Sequence, residues 1–576
     1  MKEARIGLYV CWCGSNIAKM VDVETIAKEL HEIPEVIVAR DYKYMCSDPG
    51  QDLIIKDIKE NNLDRIVVAA CSPRIHEATF RKAIEKAGLN PYMFQMANIR
   101  EQDAWVHNNR DEATQKAKAL IKAALKRIKF HEALNKRTVE INPSTLVIGG
   151  GVAGLTAALK IADANQKVYL VECEDHLGGT LLQVKNTFPA LQDVQEFISE
   201  KRSKVLNHTN IEVFTNTNLE EIYGYVGNFG TKLQFNNKTV ELEFGNIIIA
   251  TGLQPFNHIR IPEYDYGELP NVITALEFEQ VLLSGKIEKK DGSKPNDVAI
   301  IHCVGSLSKD YLPYCSRTCC STALKYANII RSSLPEANIY ELYTDMRCYG
   351  KGCEELYSYT STRDIMFLMF DMEDGLPKIL PADSEMTGEM QIKMLEKLSG
   401  EELIVPADMV ILMTGMQSRD NAREVAHMAG ISMCGNEFFI EKHPKLDPVA
   451  TTTDGVYIVG ACQGPKSIDE SVSQAKAAVA RILGSICKGV TEVEVTTATV
   501  NEDICCGCKT CVQVCPYSAI DFNEEKNVSG VNEVLCKGCG TCSSACATGA
   551  IQARHFTDSQ ILSQIEGVLE SENEVL

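Results

Sequence analysis

Between residues 503 and 556 the helical signal fades and cysteines crowd into two runs of the same spacing. The first is Cys505-x2-Cys508-x2-Cys511-x3-Cys515-Pro516, and the second is Cys536-x2-Cys539-x2-Cys542-x3-Cys546. Three closely spaced thiolates can wrap one face of a cubane, and the fourth ligand must then come from far along the chain. A zinc ribbon also uses CxxC pairs, but zinc needs four ligands and has no use for two interlocked runs of four. The whole chain holds 23 cysteines. A secreted disulfide scaffold of that richness is short and follows a signal peptide. This chain opens "MKEARIGLYVCWCG", with no basic region leading into an apolar stretch and a cleavage site. The expectation is a cytoplasmic protein whose cysteines are thiolates bound to something.

The spacing of the two runs resembles that of bacterial-type two-cluster ferredoxins, in which the fourth cysteine of each run binds the other cluster. The resemblance implies one [4Fe–4S] cluster on Cys505, Cys508, Cys511 and Cys546. It implies a second on Cys536, Cys539, Cys542 and Cys515. Ala547 stands where a proline is usual, and Cys506 is left over as a structural cysteine.

At 576 residues the chain is too long for one hydrophobic core. Its net charge of −20 argues against nucleic acid and anionic membranes as partners. The longest apolar region, "TLVIGGGVAGLTAAL", is too short and too glycine-rich to span a bilayer. Residues 1–135 alternate strand-like stretches ("RIGLYV", "VIVAR", "DRIVVAA") with helix-like ones and read as a small α/β domain, closed by the helical run 111–130. Residues 140–490 read as a larger α/β domain whose second lobe covers about 256–450. Residues 497–556 form the two-run domain. In 557–576, Ile561, Leu562, Ile565, Val568 and Leu569 recur at helical spacing and predict one amphipathic helix, free to dock a partner or to pack on its own domain. The fold class expected is α/β and multidomain.

"VIGGGVAG" gives Gly149-x-Gly151-x2-Gly154 between a strand and a helix, and Glu172 ends the next strand. In this setting the glycines let the backbone approach a pyrophosphate at the N-terminus of a helix that begins with Val152 and Ala153, and Glu172 holds a ribose hydroxyl. With "HLGG", "IIIATG" and "GVYIVGA" the region resembles the FAD half of thioredoxin-reductase-like flavoproteins over residues 144–480. The resemblance implies that Gly178, Gly179, Thr180, Ala250, Thr251 and Gly252 line the cofactor. It places Gly460 and Ala461 near the ribityl phosphate, and aims a helix N-terminus bearing Ile468 and Ser471 at the flavin ring. The second lobe should repeat the fingerprint to take NAD(P)H. Its strand "DVAIIHCVGSLSKD" carries only Gly305, so hydride is not expected to enter there.

Cys303, Cys315, Cys319 and Cys320 stand in its place. The adjacent pair could be a redox dithiol, or all four could hold a cluster; spacing leaves both open. Here the chain is similar to HdrA, the iron–sulfur flavoprotein of heterodisulfide reductases, carried by "HCVGS", "YCSRTCC", "GKGCEELY" and "GACQGPKSIDESV". The resemblance runs nearly end to end. It implies a [4Fe–4S] cluster on those four cysteines, Lys325 beside the isoalloxazine, and another cluster on Cys11, Cys13, Cys46 and Cys71. Alternation along a strand would put Cys11 and Cys13 on one face. The total is FAD and four [4Fe–4S] clusters.

The resemblance further implies an anaerobic electron-transferring oxidoreductase subunit, performing electron bifurcation or confurcation with HdrB- and HdrC-like subunits. A hydrogenase-, formate- or NADH-linked donor, ferredoxin and a dimer of complexes belong to the same picture. The alternatives are an NAD(P)H-dependent dithiol reductase and a non-bifurcating wiring subunit. An inserted ferredoxin domain of the family is absent, since residues 180–245 hold no cysteine. Cys348 and Cys353 make too few ligands for a cluster, and Cys173, Cys434, Cys462 and Cys487 have no evident partners.

Overall fold

The structure is a computed structural model that describes residues 4–236, 238–383, 388–493 and 495–573. The chain divides into two units, one of residues 1–138 with 492–576 and one of residues 139–491.

The N-terminal part of the first unit is a four-stranded parallel sheet in the order Val36–Tyr42, Ile6–Cys11, Arg65–Ala70, Phe94–Asn98. Every residue of Ile6–Cys11 is buried, as a central strand covered on both faces demands. The helix Arg110–Ile128 covers one face. Ala113, Ala117, Ile121, Ala124, Leu125 and Ile128 recur every three or four residues and meet the sheet. Asn109 caps that helix through the backbone N–H groups of Asp111 and Glu112. The fourth strand, Phe94–Asn98, leads into a single π-helical turn, Arg100–Ala104. Sequence reading anticipated the first three strands and missed the fourth, whose "FQMAN" shows no strict alternation.

The second unit carries two five-stranded parallel sheets. One runs Val456–Ile458, Asn246–Ile249, Thr145–Ile148, Val168–Val171, Ile211–Phe214. The other runs Val272–Thr274, Met409–Thr414, Asp297–Val304, Asn338–Tyr343, Ile365–Met369. The second lobe is thus a full dinucleotide-type sheet, although its glycine fingerprint is missing. In the first sheet only residues 149–151 separate the strand Thr145–Ile148 from the helix Val152–Ala162. In the second, residues 305–318 separate the strand Asp297–Val304 from the helix Cys319–Ser333.

Residues 497–556 hold two short helices, Thr510–Val514 and Thr541–Ala545, and two antiparallel ribbons. The last helix, Asp558–Asn573, packs on Arg110–Ile128 of its own unit, and residues 574–576 lie outside the described residues. The face it buries differs from the one its apolar spacing suggests. Gln560 and Ser563 are buried, and Arg127 reaches Gln564 at 2.9 Å and the carbonyl of His555 at 2.7 Å. Lys126 pairs with Glu570. Ile561, Leu562, Ile565 and Leu569 are 43–58% exposed. The reason is close approach: a Cβ on Gly567 would lie 2.7 Å from the Ala123 Cα, so the two backbones nearly touch on a face with no room for Leu or Ile. Among the described residues no helix is long and apolar enough to cross a membrane.

Replacing Gly567 with Leu must separate these helices. Overpacking of this kind costs about 1–3 kcal/mol. Trp12 and Trp105, the only two tryptophans, both lie in this unit. Tryptophan fluorescence during denaturant unfolding should therefore show the loss, while flavin fluorescence, which reports the other unit, stays at the wild-type midpoint.

Candidate functional site

The carboxyl ends of the first large sheet and its neighbour open onto a cavity of about 400 Å³ within residues 139–491. The three fingerprint glycines do three different things. Gly149 has φ 107°, and a Cβ there would sit 2.4 Å from the Ala250 carbonyl oxygen. Gly154 presses its helix on the preceding strand, where a Cβ would lie 1.9 Å from the Gly149 oxygen. Gly151 faces open space and the cavity. That pattern is a tight turn, a close helix–strand contact and a bare approach for a phosphate. Val152 and Ala153 begin the helix at the cavity wall.

Glu172 is buried and oriented, its carboxylate accepting from the Gly150 N–H at 2.5 Å and from the Glu174 N–H at 3.0 Å. Gly178, Gly179 and Thr180 line the cavity, as do Ala250, Thr251 and Gly252. Gly460 lies behind its wall, with φ 77° and its N–H on Gln474 at 2.8 Å, and Ala461 is in the wall. The helix Ile468–Lys488 is closed by a capping box of Ser467 and Glu470, and its first turn presents Ile468 and Ser471 to the cavity. Lys466, whose ammonium pKa burial pushes down, lines the same wall and was not anticipated. These glycine approaches and a helix N-terminus fit a dinucleotide such as FAD.

The helix Cys319–Ser333 closes the cavity from the second lobe with Cys319, Thr322, Lys325 and Tyr326. Lys325 and Glu279 form an ion pair in which both side chains are 2% exposed. The ammonium also donates to the Asn186 carbonyl at 2.9 Å, and Tyr326 donates to Glu279 at 2.8 Å. Burial pushes the Lys325 pKa down against the pull of Glu279. Glu279 was missed in the sequence, where it reads as one more acid on the helix Ala275–Ser284.

Cys319 belongs to the cavity wall and to a thiol group. Burial drives its pKa well up, and Cys303, Cys320 and Cys315 add to the shift. Cys303 ends its strand with φ 56° and is pushed up to about 12 by burial, then by Cys320 and Cys315. Gly305 has φ 83°, and a Cβ there would meet the Phe256 ring at 2.3 Å, so only glycine fits beneath that ring. Thr344 donates to the Cys303 sulfur at 3.7 Å, and the Arg317 N–H to the Cys315 sulfur at 3.2 Å. His302 and Glu341 form a fully buried pair, and the second ring nitrogen of His302 finds no oxygen or nitrogen partner; the Cys320 sulfur is within its reach. Burial raises the Cys320 pKa and His302 more than reverses it. An imidazole donor aimed at a cysteine sulfur of this group fits an ionised, cluster-bound thiolate. Cys348 and Cys353 are buried with Cys320 in one apolar cluster beside this group.

In the first unit, Cys11 ends its strand, and Cys13, Cys46 and Cys71 follow strand ends at the carboxyl edge of the four-stranded sheet. Their mutual influence places them together. Strand alternation is not how Cys13 arrives: the strand stops at Cys11, and Cys13 lies in a turn with φ 50°, its N–H on the Cys11 sulfur at 3.3 Å. Arg100 donates to the Cys13 sulfur at 3.2 Å.

In the C-terminal segment, Cys542 is pushed up to about 11 by burial, then by Cys536, Cys515 and Cys539, the set that interlocked runs require. Cys511 donates to Ser529 at 3.1 Å and shares an apolar cluster with Cys546. Cys505 and Cys508 lie in the same segment, and Cys506 is exposed. Among the described residues no three His, Cys, Asp or Glu side chains close on the spacing of one metal ion. A cubane offers each thiolate a separate iron and so sets its ligands further apart.

Residues 143–301 match the family of pyridine nucleotide-disulphide oxidoreductases, and residues 504–550 match the 4Fe-4S dicluster domain. FAD and [4Fe–4S] are the groups these domains carry, and the chain is an oxidoreductase subunit. Thioredoxin reductase of T. acidophilum shows a TM-score of 0.41 at 16% identity, over 60% of this chain and 99% of that one. One of the HdrA iron-sulfur proteins of the CoB–CoM heterodisulfide reductase of Methanopyrus kandleri is 40% identical over 98% of this chain and 99% of its own length. HdrA of the H(2):CoB-CoM heterodisulfide,ferredoxin reductase of Methanothermobacter marburgensis is 38% identical over 99% and 98%. That alignment runs over 655 positions against 576 residues here, so the relative carries at least 79 residues without a counterpart in this chain. Over nearly its whole length, then, this chain belongs to the HdrA family of heterodisulfide reductase proteins.

Proposed function

We propose that the chain is the flavin-bearing subunit of a heterodisulfide-reductase-type complex and the place where an electron pair is divided between two one-electron routes. Its relatives are named for heterodisulfide, ferredoxin, hydrogen and formate, and those names supply the candidates for its acceptors and donors. FAD supplies two-electron chemistry that can be drawn off singly, and [4Fe–4S] clusters carry single electrons. The single observation that supports the reading is Cys319, which is at once cavity wall and member of a four-thiol group.

The chain's own residues have separable tasks. The residues after Gly149 and the following helix N-terminus hold a pyrophosphate. Glu172 is preset by the Gly150 N–H to accept a ribose hydroxyl. The N-terminus of Ile468–Lys488 favours negative charge at the flavin end of the cavity. Lys325 brings a buried ammonium to the same cavity, and Glu279 holds it there. Cys303, Cys315, Cys319 and Cys320 hold the adjacent cluster. The other three clusters take the cysteine sets of the N-terminal sheet edge and the two C-terminal runs. HdrB- and HdrC-like subunits, together with ferredoxin, are the partners that fit this arrangement.

Anaerobically prepared protein should contain about sixteen iron atoms per FAD, four for each cubane. Cys319→Ala should lose about four of them and keep its flavin; a full iron complement in that variant would remove Cys319 from the ligand set. In the whole complex, Lys325→Met should abolish ferredoxin reduction while two-electron flavin reduction persists. Unchanged ferredoxin reduction would leave the chain a wiring subunit without a dividing role for Lys325. Glu279→Ala strands a buried ammonium and should cost about 3–5 kcal/mol in the flavin unit, whereas the double change Glu279→Leu with Lys325→Met should cost much less. The release of flavin fluorescence on heating reads both.

A further inference from the structure

Arg100 is a cation in direct contact with the Cys13 sulfur of the N-terminal thiol group, and no feature of the sequence announces it. We propose that its guanidinium sets the reduction potential of the cluster at Cys11, Cys13, Cys46 and Cys71, holding it above the value the thiolates alone would give. The inference rests on reading those four cysteines as ligands.

The side chain is mostly buried, and its geometry is over-determined. Nη1 donates to the Cys13 sulfur at 3.2 Å. Nε and Nη2 donate to Glu101 Oε1 at 3.2 and 2.7 Å. The other Glu101 oxygen accepts from the Ser72 N–H at 2.9 Å, and Ser72 directly follows Cys71. The guanidinium lies 4.8 Å from the centre of the Trp105 ring. Asn98 Oδ1 takes the N–H groups of both Arg100 and Glu101, at 3.2 and 3.1 Å, at the start of the π-helical turn. Such single π-turns often re-aim side chains at functional positions. The charge of Arg100 also reaches Cys46 and Cys71.

The direction of the effect follows from electrostatics. A cluster that takes up an electron becomes more negative, and a donor cation a hydrogen bond away stabilises that state more than the oxidised one. Glu101 binds the edge of the guanidinium turned away from Cys13. The pair is therefore a dipole whose positive end meets the thiols, and Glu101 moderates the effect. The C-terminal cysteines make neutral contacts instead: Cys511 donates to the Ser529 hydroxyl, while Cys515 and Cys536 accept from the backbone N–H groups of Ala519 and Ala498. Charge-assisted bonds are about twice as strong as neutral ones, so the N-terminal cluster is the more easily reduced.

The test is a redox titration of full-length, cluster-loaded protein, followed by the paramagnetic signals of each cluster and by iron content. Arg100→Gln should lower the midpoint of one cluster by a tenfold change in its reduction equilibrium, 59 mV for one electron, and leave the others in place. Arg100→Lys should recover part of that, because a point charge replaces the cation but not the two-sided fork. Glu101→Gln should shift the same midpoint upward. A merely structural role would not move the two variants in opposite directions. An unshifted midpoint in Arg100→Gln with full iron overturns the inference, as does a downward shift in Glu101→Gln. If Arg100→Gln sheds its cluster, the Lys and Glu101→Gln variants decide by the same signs. Full iron in Cys13→Ala and Cys71→Ser would instead remove the ligand reading itself.

Discussion

A parallel sheet delivers the carboxyl ends of all its strands to one edge, and the sites of this chain's α/β regions lie at such edges. In the N-terminal sheet that edge gathers Cys11, Cys13, Cys46, Cys71 and Arg100 from four strands. In the first large sheet it gathers the glycine turn, Glu172 and Ala250. In the second large sheet it gathers Cys303 and, across the connection, Cys315, Cys319 and Cys320. The backbone frame is the same in the last two. What differs is the connection: residues 149–151 are short and bare enough for a phosphate, whereas residues 305–318 are long enough to carry thiols. Loop length and the residues the loop carries divide the two edges.

Gathering thiols at a buried edge has an electrostatic consequence. The Cys71 thiol is driven up to about 12, by burial first; Arg100 pulls against that shift, while Glu101, Cys13 and Cys11 add to it. Ionised ligands are stable there only if positive charge or donors meet them. Arg100 answers this in one unit. His302, backed by Glu341, answers it in the other. Lys325 with Glu279 is the same device turned toward the cavity. Each cation is paired with a carboxylate, which limits the cost of burying it.

What could be read from the sequence divides along these lines. The spacing of the two C-terminal cysteine runs is a strong local pattern, so the dicluster domain at residues 504–550 was legible without coordinates. The glycines at 149 and 154 were legible because only glycine survives contacts of 2.4 and 1.9 Å, and Gly151 because it leaves the approach to the cavity bare. Arg100, Glu279 and His302 were not. Each reaches its site through tertiary packing, from a position whose local pattern resembles any polar residue on a turn, helix or strand. The terminal helix misled for a related reason. Its apolar residues are real, but Gly567 decided which face could approach Arg110–Ile128, and small residues weigh little in an apolar pattern.

Helix geometry separates the adjacent pair Cys319–Cys320. The two residues open the helix Cys319–Ser333, where successive side chains diverge by about 100°. Cys319 turns to the cavity with Thr322, Lys325 and Tyr326. Cys320 turns with Leu324 toward Cys348, Cys353 and the Asp345 carbonyl. A bond between the two sulfurs would need the first turn of the helix to unwind, because Cβ vectors that point apart cannot be bridged without backbone movement. The same divergence suits a cubane, which wants its thiolates on separate irons. Cys303 and Cys315 approach from the strand end and the connection. The doublet's geometry is that of two thiols diverging from one rigid element, with the cavity on one side and His302 on the other, as the proposed cluster requires.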